Sequence, residues 1–549
     1  MALVALALLS LFASVAAQFK QSGASTSVGS GAALTSSDAF GTSLSATTDS
    51  SQSAWVVSGA QGAARSGVAN AGAAHLLSYT APSSLTAASA LPALAYVSAL
   101  TPTLGSQAAA SIGGESYGCD IAISSAGNVI AVGAMQQAQA GAAEYGVGRV
   151  YIFSGNRSSP VYSMPNTALL TPSDGALGDQ FGSSVAVSAD GSIVLACSPK
   201  ALVQSLAAAG ACYVFLRGQG QGYAQVQKVV SSTPLAGAQF GGNDGSVALS
   251  SNGLTAVIGA PYDTAATVAN AGSAYLVTAT APNWASYAVK SLPPTAPVAN
   301  SLYGWMVSIN SVGSLIACGA AADSVATIAG AGSVTVWSTT SATPSTTSTW
   351  TSLRVTASDS SAGANFGAGL AFSTTGSALI VGANLAGASQ QGAVYTFTLA
   401  AAGSSWVQDT PVLGPTSLNY SPANSNYGYN VKISGDGLVA FASATTGALS
   451  APPAVAAGVV YSFSKAISCP AGAYNANGGS ATSSCQACPA NTYSSAAASA
   501  CTACPAGSTS ATGSVSSSNC VVPDITYSPQ SQQASIIGGV LGVSASRVH

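Results

Sequence analysis

The chain has 549 residues, a formal net charge of -3 and only 5% charged side chains, against 48% hydrophobic ones. No basic field exists to hold nucleic acid or an anionic membrane, so neither is expected as a partner. The length suffices for one large core and a small accessory domain, and Ser, Thr, Ala and Gly must supply a surface on which copies repel one another weakly.

Residues 1-17 read as a secretory signal: Leu3 to Val15 are apolar, and Val15-Ala16-Ala17 before Gln18 fits small-x-small cleavage. The rest of the chain is then expected in an oxidising compartment. No other stretch has the length of a membrane helix; Ile536 to Val543 is too short and carries two Gly.

From residue 36 onward an aromatic-Gly pair recurs: Phe40-Gly41, Tyr117-Gly118, Phe181-Gly182, Phe240-Gly241, Tyr303-Gly304, Phe366-Gly367 and Tyr427-Gly428. The glycines are 77, 64, 59, 63, 63 and 61 residues apart. After each pair comes an alternating run, a turn such as Ala189-Asp190-Gly191 or Gly435-Asp436-Gly437, and a second apolar run. Period-2 alternation across a short Gly turn is a hairpin. A third strand begins with Gly, as in Gly210 to Phe215 and Gly392 to Phe397, with Gly72 to Leu77 a degenerate copy. Several copies add a fourth: Tyr223 to Val230, Trp284 to Lys290, Trp350 to Val355, Trp406 to Val412. Seven units of four strands predict an all-β, seven-bladed propeller over residues 18-465. The seventh unit has no room for its fourth strand before Cys469, so the segment from Phe19 to Ser27 is expected to supply it and close the ring.

The Phe-Gly, Gly-Ala (Gly133-Ala134, Gly259-Ala260, Gly319-Ala320, Gly382-Ala383) and Gly-x-Val-Tyr pattern resembles FG-GAP repeats of the integrin α-subunit type, over residues 36-465. Many such repeats carry a calcium loop of several acids. Here the equivalent turns hold at most one, as at Asp190 and Asp436, so these Asp are read as turn formers and no metal site is carried over.

Residues 466-522 hold Cys469, Cys485, Cys488, Cys501, Cys504 and Cys520, with related starts at Cys469-Pro470-Ala471, Cys488-Pro489-Ala490 and Cys504-Pro505-Ala506. This spacing resembles ephrin-receptor-like cysteine-rich repeats; two CxxC pairs also raise a zinc ribbon, against which secretion argues. Of fifteen possible pairings, the repeat suggests Cys469-Cys485, Cys488-Cys501 and Cys504-Cys520. Residues 523-549 read as a flexible tail. In the propeller, Cys197 and Cys212 lie on neighbouring strands where they can pair, while Cys119 and Cys318 are expected as buried thiols.

Chemistry is sparse. His75 sits in an apolar strand and reads as core; His549 is terminal. A propeller glycosidase needs two positioned carboxylates, for which Asp38, Asp120 and Asp179 near blade starts are the candidates facing the tunnel. No catalytic residue, cofactor or metal is expected, and the chain is read as non-enzymatic. Sequons mark Asn156 and Asn419 for glycosylation, and the Ser/Thr-rich Ser338 to Thr351 reads as a flexible loop or a carrier of O-linked sugar. The combination resembles cell-surface and mastigoneme-like proteins of algae and other protists, which implies a secreted or surface structural, adhesive glycoprotein that contacts an extracellular protein or glycan or self-assembles. A receptor ectodomain for a peptide or glycan is the alternative, with Trp305 and Tyr429 as anchors, although both are expected to pack between blades.

Overall fold

The computed structural model describes residues 19–25, 38–47, 53–65, 68, 70–80, 94–104, 107–108, 115–135, 146–156, 159–164, 169–219, 222–242, 244–400, 405–409, 412–413, 424–446, 458–465, 471–474, 486–495, 498 and 500–522. The signal sequence, Asn419, Cys469, Cys485 and the tail beyond residue 522 lie outside the described residues. The chain separates into two compact units, the division falling after Ser468.

The first unit consists of seven antiparallel blades, each with four strands from the hub outward, in chain order in the first six; in blade 2 a short fifth strand, Leu169–Leu170, also pairs with the third. Blade 1 is Leu44–Ala46, Ser53–Ala60, Ala73–Thr80 and Ala95–Ala99; blade 2 is Tyr117–Ile123, Val129–Ala134, Arg149–Asn156 and Ser159–Ser163. Blade 3 is Ser184–Val187, Ile193–Ser198, Ala211–Arg217 and Tyr223–Val229; blade 4 is Val247–Leu249, Thr255–Ala260, Ser273–Ala279 and Tyr287–Leu292. Blade 5 is Val307–Ile309, Leu315–Ala320, Ser333–Ser338 and Thr351–Val355; blade 6 is Phe366–Phe372, Ala378–Ala383, Ala393–Leu399 and Trp406–Gln408. Blade 7 takes Tyr427–Ile433, Val439–Ala444 and Val459–Lys465, and its outer strand is Phe19–Ser25, paired Phe19 to Lys465 and Ser25 to Val460. The ring therefore closes through its N-terminal strand, as the missing fourth strand requires.

The second strands are buried over most of their length, and throughout in Val129–Ala134 and Thr255–Ala260, because both of their faces meet a neighbouring blade. The cores lie in these seams. Val150 and Ile152 of blade 2 pack with Val185, Val194 and Tyr213 of blade 3, and Phe441 and Val460 of blade 7 pack with Phe40, Val56 and Leu77 of blade 1. The outer strands are half-exposed, and with so few charges in the chain it is notable that Lys228, Lys290 and Arg354 stand on them. A cation on an edge strand opposes pairing with another chain.

The repeated motif is the fastener between blades. The residue before each aromatic is left-handed (Ala39, Ser116, Gln180, Gln239, Leu302, Asn365 and Asn426, φ from 52° to 59°), and the following Gly also has positive φ. This turn drives the aromatic back onto the preceding blade. Tyr303 donates its backbone N–H to Ala271 O (3.0 Å), and a Cβ on Gly272 (φ +81°) would stand 2.1 Å from Tyr303 O. The contact recurs at the closing seam, where a Cβ on Gly458 would lie 2.0 Å from Phe40 O. The aromatic meets the Tyr of the third strand edge-to-face, at 5.4 Å for Phe240–Tyr275 and 5.6 Å for Tyr427–Tyr461. In blade 1, His75 occupies that Tyr position, 5.7 Å from Phe40. At the other end of the hub, hairpin turns join in an arc: Ala126 N–H to Ala189 O, Ala189 N–H to Ser251 O, Ser251 N–H to Ser311 O, and Ser311 N–H to Thr374 O, all 2.9–3.0 Å. Asp190 and Asp436 hold such turns: Asp190 Oδ1 accepts from Ser192 N–H (2.9 Å), and Asp436 Oδ1 from Leu438 N–H (3.0 Å).

Cys197 stands directly opposite Cys212 in the register of blade 3, with their sulfurs bonded at 2.02 Å. Cys119 and Cys318 are buried and free. In the second unit, Cys488 is bonded to Cys501 and Cys504 to Cys520. Its repeats stack by equivalent bonds: Gly472 N–H to Ser494 O and Asn491 N–H to Ser510 O, then Cys488 N–H to Gly472 O and Cys504 N–H to Asn491 O, all 2.9 Å. Large apolar side chains are scarce here, so disulfides and these backbone bonds hold the module.

Candidate functional site

The open end of the hub, where first strands begin and second strands end, contains a cavity of about 410 Å³. Two sets of blade positions line it. One directly follows the aromatic-Gly pair: Thr42, Cys119, Ser183, Trp305 and Tyr429. The other follows the end of the second strand: Gln61, Met135, Lys200 and Tyr262. Gln180 and Gln239, the left-handed residues before their aromatics, complete the wall together with Asp244. Six blades thus contribute to one concave surface. Trp305 and Tyr429 were expected to pack between blades. Trp305 does pack against the seam of blades 5 and 6, but both are only half-buried and face the cavity.

One residue further along the inner strands, the hub is crossed by polar side chains. Asp120 of blade 2 and Asp244 at the start of blade 4 bring their carboxyls close enough to act on one another. Asp120 Oδ1 accepts from Ile121 N–H (2.8 Å), and Oδ2 from Val185 N–H (2.7 Å) and Ser184 Oγ–H (3.1 Å). Asp244 Oδ2 accepts from Asn430 Nδ2 (3.2 Å), reaching across from blade 7, and Lys432 of that strand adds a cation. Asp244 and Lys432 keep some surface toward the narrow hub, yet protein surrounds them on all sides.

Burial, then the Asp120 charge, pushes the Asp244 carboxyl well above the usual range; burial raises Asp120 too, opposed by its N–H donors and Lys432. Burial lowers the Lys432 ammonium, opposed by both carboxyls. The hydrogen-bond donors favour a charged Asp120 over a charged Asp244. No N–H or O–H reaches the buried Asp244 Oδ1, whereas Asp120 has three donors. A proton on Asp244 would relieve the repulsion and leave the Asp120 carboxylate to its donors. Asp120 is tied to backbone and Ser184 donors and Asp244 to Asn430, whereas glycosidase pairs stand about 5–9.5 Å apart with the sugar between them. Asp120 is at the hub as the sequence suggested, but Asp38 and Asp179 do not line the cavity; Asp179 Oδ2 caps Ala176 N–H (2.8 Å).

Sequence reasoning missed Asp244. Seven residues separate Phe240 from Val247, where four separate Phe181 from Val185 and Tyr303 from Val307. This local insertion carries Asp244 into the hub. Among the described residues, no group of three or more His, Cys, Asp or Glu could hold a metal ion, and no helix is long and apolar enough to cross a membrane. Burial pushes the Cys119 thiol far up, so its place at the cavity wall does not make it a nucleophile. Asn156 is exposed at the end of its strand.

A family model described as FG-GAP repeat matches residues 165–215, 223–277 and 350–397. These stretches run through blades 3 and 4 and from the outer strand of blade 5 to the third strand of blade 6, so the ring is a propeller that carries FG-GAP repeats. Comparison with curated proteins finds no match.

Proposed function

We propose that this protein is a secreted or cell-surface adhesive glycoprotein. Its propeller recognises an extracellular protein or glycan without catalysis, and its cysteine-rich module, ephrin-receptor-like, serves as a spacer. The observation that carries this is the hub cavity: a concave, mixed aromatic and amide surface built from the positions at which otherwise similar repeats differ. Ligand sites favour such concave surfaces with a few convergent polar groups. FG-GAP repeats and disulfides are typical of extracellular proteins, and three bonded pairs would not persist in a reducing cytosol. In this reading residues 1-17 are removed on export, and Asn156 and Asn419 carry sugar that hydrates a charge-poor surface.

The test is expression of the full chain in a secreting host, followed by incubation of the purified product with cells and cell-wall material. Retention that is weakened by Trp305→Ala, in product that remains cooperatively folded at the assay temperature, supports the reading. Intracellular, reduced product, or retention indifferent to the hub variant, refutes it.

A further inference from the structure

The chemistry of the cavity wall narrows the occupant, and this inference rests on the recognition function just proposed. The volume of about 410 Å³ lies within the range of small-ligand sites, about 300–1,000 Å³. Three primary amides, Gln61, Gln180 and Gln239, face it. An amide presents donor and acceptor in one plane, as neighbouring hydroxyls of a sugar ring require; an ammonium only donates and a carboxylate only accepts. Trp305 and Tyr429 each add an aromatic face, and an aromatic body with a polar tip suits a ring with apolar C–H faces and a polar rim. Charge offers little purchase for an ionic ligand. Asp120 and Asp244 are faced by Lys432 at the inner end, which leaves the exposed Lys200 as the one charge without an opposite charge beside it among the cavity's described residues. A peptide would instead favour an extended groove or a free sheet edge, and here the surface is a pit whose inner end is crossed by Asp120, Asp244 and Asn430.

We propose that the hub cavity is a saccharide site that takes the terminal neutral sugar of a glycan, stacked on Trp305 or Tyr429 and held through its hydroxyls by Gln61, Gln180 and Gln239. Gln180 and Gln239 sit at φ 59° and 52°, a region that Asn tolerates better than most residues. Gln180→Asn and Gln239→Asn therefore shorten the amide arm without disturbing the turn.

The experiment uses the full secreted chain on an array of neutral and acidic glycans, with free mono- and disaccharides as competitors and calorimetry for any hit. The expected result is retention on neutral glycans, competition by the free terminal sugar, and at least tenfold weaker binding in Trp305→Ala and in the double Asn variant. The Asn variant should unfold at the wild-type temperature, which separates lost contacts from lost fold. Retention only on acidic glycans, with strong salt dependence, overturns the neutral class and points to Lys200. Sugar binding untouched by both variants overturns the site. Failure to retain any glycan overturns the saccharide inference alone if cell-surface retention remains sensitive to Trp305→Ala, and overturns the recognition function as well if it does not.

Discussion

Six of the seven blades place Tyr or Thr at the fourth position of the third strand motif, and in blade 1 this position is His75, buried at 7% exposure between Phe40 and Tyr96. Neither ring nitrogen finds a hydrogen-bond partner. Burial lowers its pKa from 6.5 to about 4, with Asp38 opposing the shift. Because the folded state holds the proton less tightly than the unfolded chain, stability rises with pH. The contribution is flat above about pH 6.5, falls as pH drops toward 4, and levels off below. Each pKa unit corresponds to about 1.4 kcal/mol, so a shift of 6.5 to about 4 removes roughly 3 kcal/mol. His75→Tyr restores the repeat's residue and His75→Phe removes all titration. Urea unfolding free energies for wild type and both variants, measured from pH 7.5 to 4, should diverge by about that amount across this window. Both variants should also be more stable at pH 7.5, by on the order of 1 kcal/mol, since two unpaired buried nitrogens are removed. The difference between wild type and variant cancels every other titrating group. A difference that does not change with pH would refute the reasoning.

Gly272→Ala should cost at least about 2 kcal/mol, since the left-handed backbone and the collision with Tyr303 O both oppose it; Gly237→Ala, where nothing lies within 4 Å of the new Cβ, should lose only the backbone part, and chemical denaturation compares the two. Ala39→Gly should stabilise by about 0.5–1 kcal/mol, because relief of the left-handed strain at φ 53° exceeds the added chain entropy. Replacing Cys197 and Cys212 together by Ala should cost about 3 kcal/mol for their 15-residue separation, read as a lower melting temperature that reductant no longer changes. Asp244→Asn should raise the melting temperature at pH 8: a carboxyl with a raised folded pKa stabilises most at low pH and loses that contribution as pH rises, whereas Asn donates to Asp120 at any pH. An alkaline slope that persists in the variant would place the proton elsewhere.

The ring was legible because its fasteners are the repeated residues themselves. Aromatic-Gly marks where one blade docks on the last, and Gly at the third strand marks the close approach, so counting them counts blades. Cys197–Cys212 was legible for the same reason, since Cys197 takes the place of the Gly in Gly-Ala and Cys212 opposes it in register. Aromatics opening the fourth strands were weaker guides. Trp284 lies buried in the loop before Tyr287–Leu292, its indole N–H donating to Gly253 O (3.1 Å), so it closes the blade rather than starting the strand. The Asp120–Asp244 pair could not be read from spacing, because blade 2 meets blade 4 only through the curvature of the whole ring, and the insertion before Val247 breaks the phase that made other positions comparable.

The same contrast separates scaffold from site. Substitutions at the aromatic, at the Gly after it or at the Gly of the third strand strike a backbone contact that recurs around the ring, as the 2.0–2.3 Å approaches of their hypothetical Cβ atoms show at Gly72, Gly118 and Gly332. The positions immediately after these motifs share a backbone bond to the residue before the aromatic, while the residues themselves line the hub cavity. They hold Thr42, Cys119, Ser183, Trp305 and Tyr429, five different residues spanning hydroxyl, thiol and aromatic chemistry. A ring of near-identical blades would give a cavity with rotational symmetry and no orientation. Differences at these positions, together with the single inserted Asp244, give the hub a face that can distinguish one end of a ligand from the other.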